Sequence, residues 1–128
     1  MKRAFLPLPM LAVAACQTPS QEHIHSPVRN PVYQAFGGEP FWSLAIGNDR
    51  IVLSLDGTDA VWPRTLPRTV DRVRTWQSGD GTAVISIEAR PGPCVTEGQE
   101  IFEDEVRVRL SGRELTGCGG RLIGREDE

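Results

Sequence analysis

The segment VRVRLSGRELTGC, residues 106–118, decides the fold class. Val106, Val108 and Leu110 alternate with two arginines, and Ser111-Gly112 has the composition of a tight turn before the chain returns. Alternation with a period of two predicts a strand with one buried and one solvated face. The segment therefore predicts an antiparallel β-hairpin.

The same alternation recurs upstream, and no window of useful length predicts a helix. Apolar residues at 42, 44 and 46 precede the turn residues 47–49, which predicts a hairpin from Phe41 to Leu55. Further strand candidates lie at 60–62, 70–76 and 83–89, with the last run broken by Pro91-Gly92-Pro93. Seven or eight short strands favour an all-β fold, either a small antiparallel β-barrel or a barrel-like sandwich. We favour the barrel because closure removes exposed sheet edges.

The N-terminus has the pattern of an export signal. Lys2 and Arg3 precede the apolar run Ala4–Ala15, which is shorter than the roughly 20 residues that a membrane-spanning helix needs. The sequence Val-Ala-Ala-Cys at 13–16 resembles the lipobox of bacterial lipoproteins, which implies that Cys16 is lipidated and becomes the mature N-terminus. The alternative is an ordinary cleaved signal with an incidental cysteine.

These features predict four regions. We expect a signal peptide at 1–15, a lipidated flexible tether at 16–31, a β-barrel domain at 32–124 and an acidic tail at 125–128. His23 and His25 lie in the tether, where two ligands leave a metal shell incomplete, so no metal site is predicted.

Lipidation of Cys16 would leave two cysteines, Cys94 and Cys118, in an exported chain. An even remainder in an oxidising compartment predicts one disulfide, and the alternative is two separate buried thiols.

Without Lys2 and Arg3, the chain would keep 12 of its 14 basic residues and all 17 acidic ones, which gives a net charge of −5. This balance disfavours binding to nucleic acid or electrostatic docking to an anionic membrane.

The segment FGGEPFW, residues 36–42, resembles the GxEPFW signature of a family of small bacterial envelope proteins, many of them lipoproteins of largely uncharacterised activity. The resemblance extends to a cysteine before the last hairpin, here Cys94, and to the patterns V-x-V-x-L, Gly and L-x-G-C-G, here 106–110, Gly112 and 115–119. It covers most of residues 33–120. The chain departs from the family pattern at 95–102, which puts any family role of that loop in doubt here.

Three residues of this segment are candidate binding residues: Glu39, Phe41 and Trp42. Alternation places Trp42 in the core and Phe41 on the other, partly exposed face. Glu39 either accepts backbone hydrogen bonds at the barrel mouth or faces a ligand as an acid-base group beside aromatic rings.

The residue inventory disfavours catalysis. Both histidines lie in the expected tether, the two domain cysteines are expected to pair, and the mature chain lacks lysine. The domain therefore has no residues for a histidine-assisted triad, a thiol nucleophile or a Schiff base.

Four arginines at 64, 68, 72 and 74 form either a solvated face that pairs with Asp71 or a site for carboxylate or phosphate. The acidic segment 97–105 is either a solvated loop or an attraction for a basic partner such as a lysozyme-like enzyme.

We therefore expect a lipid-anchored envelope protein whose barrel is a non-catalytic binding or structural module with no cofactor. A small ligand or an envelope protein would be its partner. Gln17, in place of the aspartate that retains many lipoproteins in the inner membrane, favours the outer membrane facing the periplasm. The alternatives are an inhibitor of a lysozyme-like cell-wall hydrolase and a carboxylate-based enzyme.

Overall fold

The computed structural model describes residues 28–81 and 83–127. The expected signal peptide, Cys16, Gln17 and the two histidines of the tether lie outside these residues. The described part of the chain is all-β and contains no helix that could span a bilayer. Its nine strands are β1 (Tyr33–Gly38), β2 (Phe41–Ile46), β3 (Arg50–Leu55), β4 (Thr58–Pro63), β5 (Arg68–Val70), β6 (Val73–Ser78), β7 (Ile85–Val95), β8 (Glu100–Leu110) and β9 (Arg113–Arg125).

The strands form one antiparallel sheet, which confirms the predicted all-β class. Their order is β4-β3-β2-β1-β9-β8-β7-β6-β5, so two meanders, β1–β4 and β5–β9, join where the first strand pairs with the last. This β1–β9 seam is short, with Ala35 opposite Gly119 and Phe36 opposite Cys118. The sheet curls into a half-barrel around the side chains of its inner face.

The predicted closed barrel of seven or eight strands is wrong, because β4 and β5 remain edges of the sheet. Pro63 ends β4 and has no N–H with which to continue a ladder. Side chains span the opening instead. The Trp62 indole donates to the Ala83 carbonyl at 2.8 Å, and the Ser78 hydroxyl donates to the Pro63 carbonyl at 2.6 Å.

Three local expectations were also wrong. The candidate strand at 70–76 is divided into β5 and β6 by a turn at Asp71 and Arg72, both with positive φ. Strand β7 continues through Pro91-Gly92-Pro93, because a register shift between Pro91 and Cys94 absorbs the irregular residues. The acidic segment is only partly a loop, since β8 begins at Glu100.

The predicted alternation is confirmed in the core. Trp42 is 1% exposed, and the inner-face residues of β2, β3, β7 and β8 are equally buried. The core side chains belong to Tyr33, Ala35, Trp42, Leu44, Ile46, Ile51, Leu53, Trp62, Trp76, Ile85, Ile87, Ala89, Val106, Val108 and Leu115.

The Trp42 ring depends on glycine at the seam. A Cβ atom on Gly37 would overlap the Trp42 indole nitrogen and the Thr116 carbonyl oxygen, and one on Gly117 would overlap the Phe36 carbonyl. The absence of these side chains lets the indole nitrogen donate to the Thr116 carbonyl at 3.2 Å. Glycine therefore permits a close approach of two backbones with a tryptophan locked between them.

Replacing Trp42 with alanine tests how much of the fold depends on this ring. We expect Trp42→Ala to lower the free energy of unfolding by about 3 to 5 kcal/mol, because a large buried side chain is lost and a cavity remains. Leu66→Ala is the control, since Leu66 is 81% exposed and its loss should change stability by less than about 0.5 kcal/mol. Urea denaturation measures both, and an unchanged midpoint for Trp42→Ala would contradict the assignment.

Candidate functional site

The end of the β7–β8 hairpin folds over the outer face of the sheet. Strands β7 and β9 are separated by β8, and such second neighbours normally lie about 9.5 Å apart. The Cα atoms of Cys94 on β7 and Cys118 on β9 are only 5.5 Å apart, and their sulfur atoms are at bonding distance. This geometry fits the predicted disulfide. We call residues 92–102 the β7–β8 arm.

Two further features hold the arm in place. Register shifts in β7 next to Pro91 and in β8 around Phe102 allow both strands to bend. The Phe102 ring then meets the Phe36 ring of β1 edge to face, with centroids 5.1 Å apart. Aromatic pairs in this geometry add about 0.5 to 1.5 kcal/mol beyond the area that they bury.

A groove of about 890 Å³ lies between the arm and the β1–β2 turn. Its floor is the outer face of the sheet, including Phe36, Arg107 and Thr116. One wall is the turn with Glu39 and Phe41, and the other is the arm from 93 to 98. The volume is within the range of about 300 to 1,000 Å³ that is usual for ligand sites.

The structure separates the three predicted binding residues. Glu39 and Phe41 line the groove, and Phe41 is 69% exposed. Trp42 is buried on the opposite face of β2, so it supports the site without lining it. Within the described residues the Glu39 carboxylate has no hydrogen-bond or ion-pair partner, so the expectation that it accepts backbone hydrogen bonds finds no support. The peptide bond between Glu39 and Pro40 is cis.

Acidic side chains outnumber basic ones in the groove lining, and only the basic ones are all paired. Both arginines are already paired, since Glu88 contacts Arg90 at 3.6 Å and Arg107 at 3.9 Å. Arg107 also contacts Glu114 at 3.2 Å, outside the groove lining. Three exposed carboxylates in the lining, those of Glu39, Glu97 and Glu105, have no ion pair within the described part of the chain. The groove therefore presents uncompensated negative charge.

A second polar cluster lies on the inner face of the sheet, at the Tyr33 end of β1. The Asp104 carboxylate accepts a hydrogen bond from the Tyr33 hydroxyl at 2.7 Å and one from the Arg74 guanidinium at 3.0 Å. Arg74 also lies over the rings of Tyr33 and Trp76, 4.9 Å and 5.5 Å from their centroids. The cluster provides hydrogen bonds to the Asp104 carboxylate, which is almost completely buried, and it connects β1, β6 and β8.

Sequence reasoning missed this cluster. Asp104 lies in the acidic segment, yet it shares the buried alternation of Val106 and Val108, which was the available signal. Arg74 pairs with Asp104 and not with Asp71, and Arg64 lies elsewhere, 3.5 Å from the Asn48 carbonyl. The four arginines therefore do not converge on one anion site. Among the described residues no group of three or more side chains could hold a metal ion.

Tyr33 provides a pH test of the buried cluster. Burial raises the pKa of Tyr33 well above its ordinary value of 10.0, and the hydrogen bond to Asp104 raises it further. In the unfolded chain Tyr33 loses its proton above about pH 10, and in the folded protein it does not. The contribution of Tyr33 to stability should therefore be fully present below that pH. Above it, the free energy of unfolding should fall by about 1.4 kcal/mol per pH unit.

Tyr33 is the only tyrosine in the chain, so phenolate absorbance reports on this residue alone. The absorbance should appear only together with unfolding, and Tyr33→Phe should remove the signal and the tyrosine-dependent slope. Phenolate formation in the folded protein near pH 10 would contradict the buried assignment.

Loss of the Cys94–Cys118 bond should destabilise the domain. Its sequence separation is 24 residues, and closing a loop of that length restricts the unfolded chain by roughly 3.5 kcal/mol. We expect reduction by dithiothreitol to lower the urea midpoint, while the double variant Cys94→Ser/Cys118→Ser should be unaffected by the reductant. Two reactive thiols in the unfolded, unreduced protein, apart from Cys16, would show that the bond does not form.

Comparison with known proteins finds no relative of this chain. No protein-family model matches the chain, and no curated protein and no solved structure matches it. The groove, its charges and the sequence motifs are therefore the features from which a function can be inferred.

Proposed function

We propose that the protein is a lipid-anchored envelope protein whose groove between the β1–β2 turn and the β7–β8 arm is a non-catalytic binding site. The groove itself is the observation that supports this proposal. It has the volume of a ligand site, it is built by two separate parts of the chain, and an aromatic ring of 69% exposure stands on its wall. Ligand sites are usually concave and are lined in large part by hydrophobic and aromatic side chains.

The lining favours binding over catalysis. Its ionisable side chains are five glutamates and two arginines, and its two cysteines, Cys94 and Cys118, are bonded to each other. Glu88 is engaged by both arginines, and Glu39, Glu97 and Glu105 are exposed to water. A general acid or base must be held by its surroundings within hydrogen-bond reach of the reacting group, and exposed carboxylates without partners are better suited to attract a ligand.

The direction of chain entry is compatible with an anchor. Val28 lies against Gly47, and the Val32 amide donates to the Ile46 carbonyl at 2.7 Å. Both contacts are at the end of the β1–β2 hairpin opposite Glu39 and Phe41. A tether that joins the domain there would leave the groove wall at the far end of the hairpin, accessible to partners.

The anchor itself is tested by Cys16→Ser. We expect the variant to leave the membrane fraction or to accumulate as an unprocessed precursor, since the lipobox resemblance assigns the acyl chains to this thiol and two or more chains are needed for stable anchoring. Unchanged processing and membrane partition would reject the lipoprotein. Density-gradient fractionation of the unaltered protein would separate the proposed outer-membrane location from the inner membrane.

The groove is tested by a screen of small-molecule fragments with saturation-transfer NMR. We expect binders that compete with one another and that lose binding in Phe41→Ala without a change in melting temperature. Leu66→Ala, which removes another exposed apolar group outside the groove, should retain them. Fragments that bind Phe41→Ala and the unaltered protein equally well would place recognition elsewhere.

The uncompensated carboxylates of the groove favour one second candidate, an inhibitor of a lysozyme-like hydrolase. Such enzymes are often basic, and complementary charge accelerates association. An inhibitor would slow the lysis of a cell-wall suspension by lysozyme at low ionic strength. The double variant Glu39→Gln/Glu97→Gln should no longer inhibit. If the unaltered protein left the rate of lysis unchanged, this candidate would be rejected.

A further inference from the structure

We infer that the groove binds a cationic segment of a polypeptide, one that presents arginine or lysine beside an aromatic or large aliphatic side chain. This inference rests on the proposed binding function of the groove and specifies its ligand. Four properties of the lining carry it: the sign of its charge, the pairing of its arginines, the placement of its phenylalanines and the separation of its carboxylates.

The charge of the lining selects a cation. Five glutamates face two arginines, and both arginines already contact Glu88. An anionic ligand would have to displace Glu88 from these pairs and would approach three exposed carboxylates of its own sign. A guanidinium or ammonium group meets carboxylates that have no ion pair within residues 28–81 and 83–127, so it displaces no existing contact.

The phenylalanines select an apolar group next to the cation. Phe41 stands on the wall beside Glu39, and Phe36 lies half-buried on the floor, held by Phe102. The exposed ring of Phe41 can take a guanidinium on its face while the neighbouring carboxylate pairs with it. Phe36, Pro93 and Val95 provide apolar surface for the adjoining side chain.

The separation of the carboxylates favours a chain over a compact cation. Glu39 is on the β1–β2 turn, Glu105 is on the floor in β8, and Glu97 is on the opposite wall in the arm. The three carboxylates do not form a group that could hold one small metal ion together. An extended segment of a few residues lies across the groove and reaches carboxylates of both walls, and the volume of about 890 Å³ accommodates several side chains.

The test uses the full-length lipidated protein in a non-ionic detergent and a fluorescent hexapeptide, Gly-Arg-Trp-Arg-Gly-Ser, with blocked ends. The matched control peptide has citrulline in place of both arginines, which removes the charge and keeps the shape. Fluorescence anisotropy measures the dissociation constants at low salt. We expect the citrulline peptide to bind at least about fivefold more weakly, as the loss of two partly solvated ion pairs predicts.

Variants of the protein locate the effect. Glu39→Gln and Glu97→Gln, on the two walls, should each weaken the arginine peptide about two- to threefold and leave the citrulline peptide unchanged. Asp49→Asn removes an exposed carboxylate from the β2–β3 turn, at the end of β2 opposite Phe41, and should change neither. Melting temperatures of all three variants should equal that of the unaltered protein, because the three side chains are exposed.

The outcomes separate this inference from the proposed function. Equal binding of the two peptides, or a loss in Asp49→Asn as large as in Glu97→Gln, would overturn the cationic ligand and leave a groove that recognises apolar groups. Fragments that bind at Phe41 while neither peptide binds would overturn the polypeptide ligand alone. The absence of both fragment and peptide binding at Phe41 would overturn the proposed function together with the inference.

Discussion

The pairing of β1 with β9 is the constraint on which the rest of the structure depends. The first four strands form one meander and the last five form another, and this seam is the main-chain ladder between them. It is stabilised by groups on both faces of the sheet. The Trp42 indole donates to the Thr116 carbonyl beside glycines that leave room for it, Tyr33 donates to Asp104 on the inner face, and Cys118 holds the arm on the outer face.

The groove depends on the β1–β9 seam because its two walls belong to different meanders. Glu39 and Phe41 come from the turn of the first, while Pro93 and Glu97 come from the arm of the second. Their spacing is fixed where Phe36 lies opposite Cys118, directly below the disulfide. The segment FGGEPFW thus serves the fold through Gly37 and Trp42 and serves the groove through Glu39 and Phe41.

The sequence was a good guide to the alternation of buried and exposed faces and to the last turn. Period-two alternation predicted the buried faces of β2, β3 and β8, and Ser111-Gly112 predicted the last turn, because side-chain direction and turn chemistry are properties of neighbouring residues. Closure was predicted wrongly, since the order of strands depends on which distant edges meet and Pro63 leaves β4 as an edge. The Asp104–Arg74–Tyr33 cluster and the groove also combine residues that are remote in sequence, and a single sequence contains no record of such contacts.

The pairing of the first strand with the last also determines when the domain can fold. Strand β1 finds its second neighbour only after β9 has been synthesised, because Phe36 lies opposite Cys118. Until then the first meander exposes one edge of β1 and half of a hydrophobic core, so the domain can fold only when the chain through β9 is available. A chain that ends before Leu115 lacks the partner of β1, the acceptor carbonyl of the Trp42 indole and one cysteine of the disulfide. Incomplete copies are thus distinguishable from complete ones by the exposed edge of β1, which invites pairing with other chains.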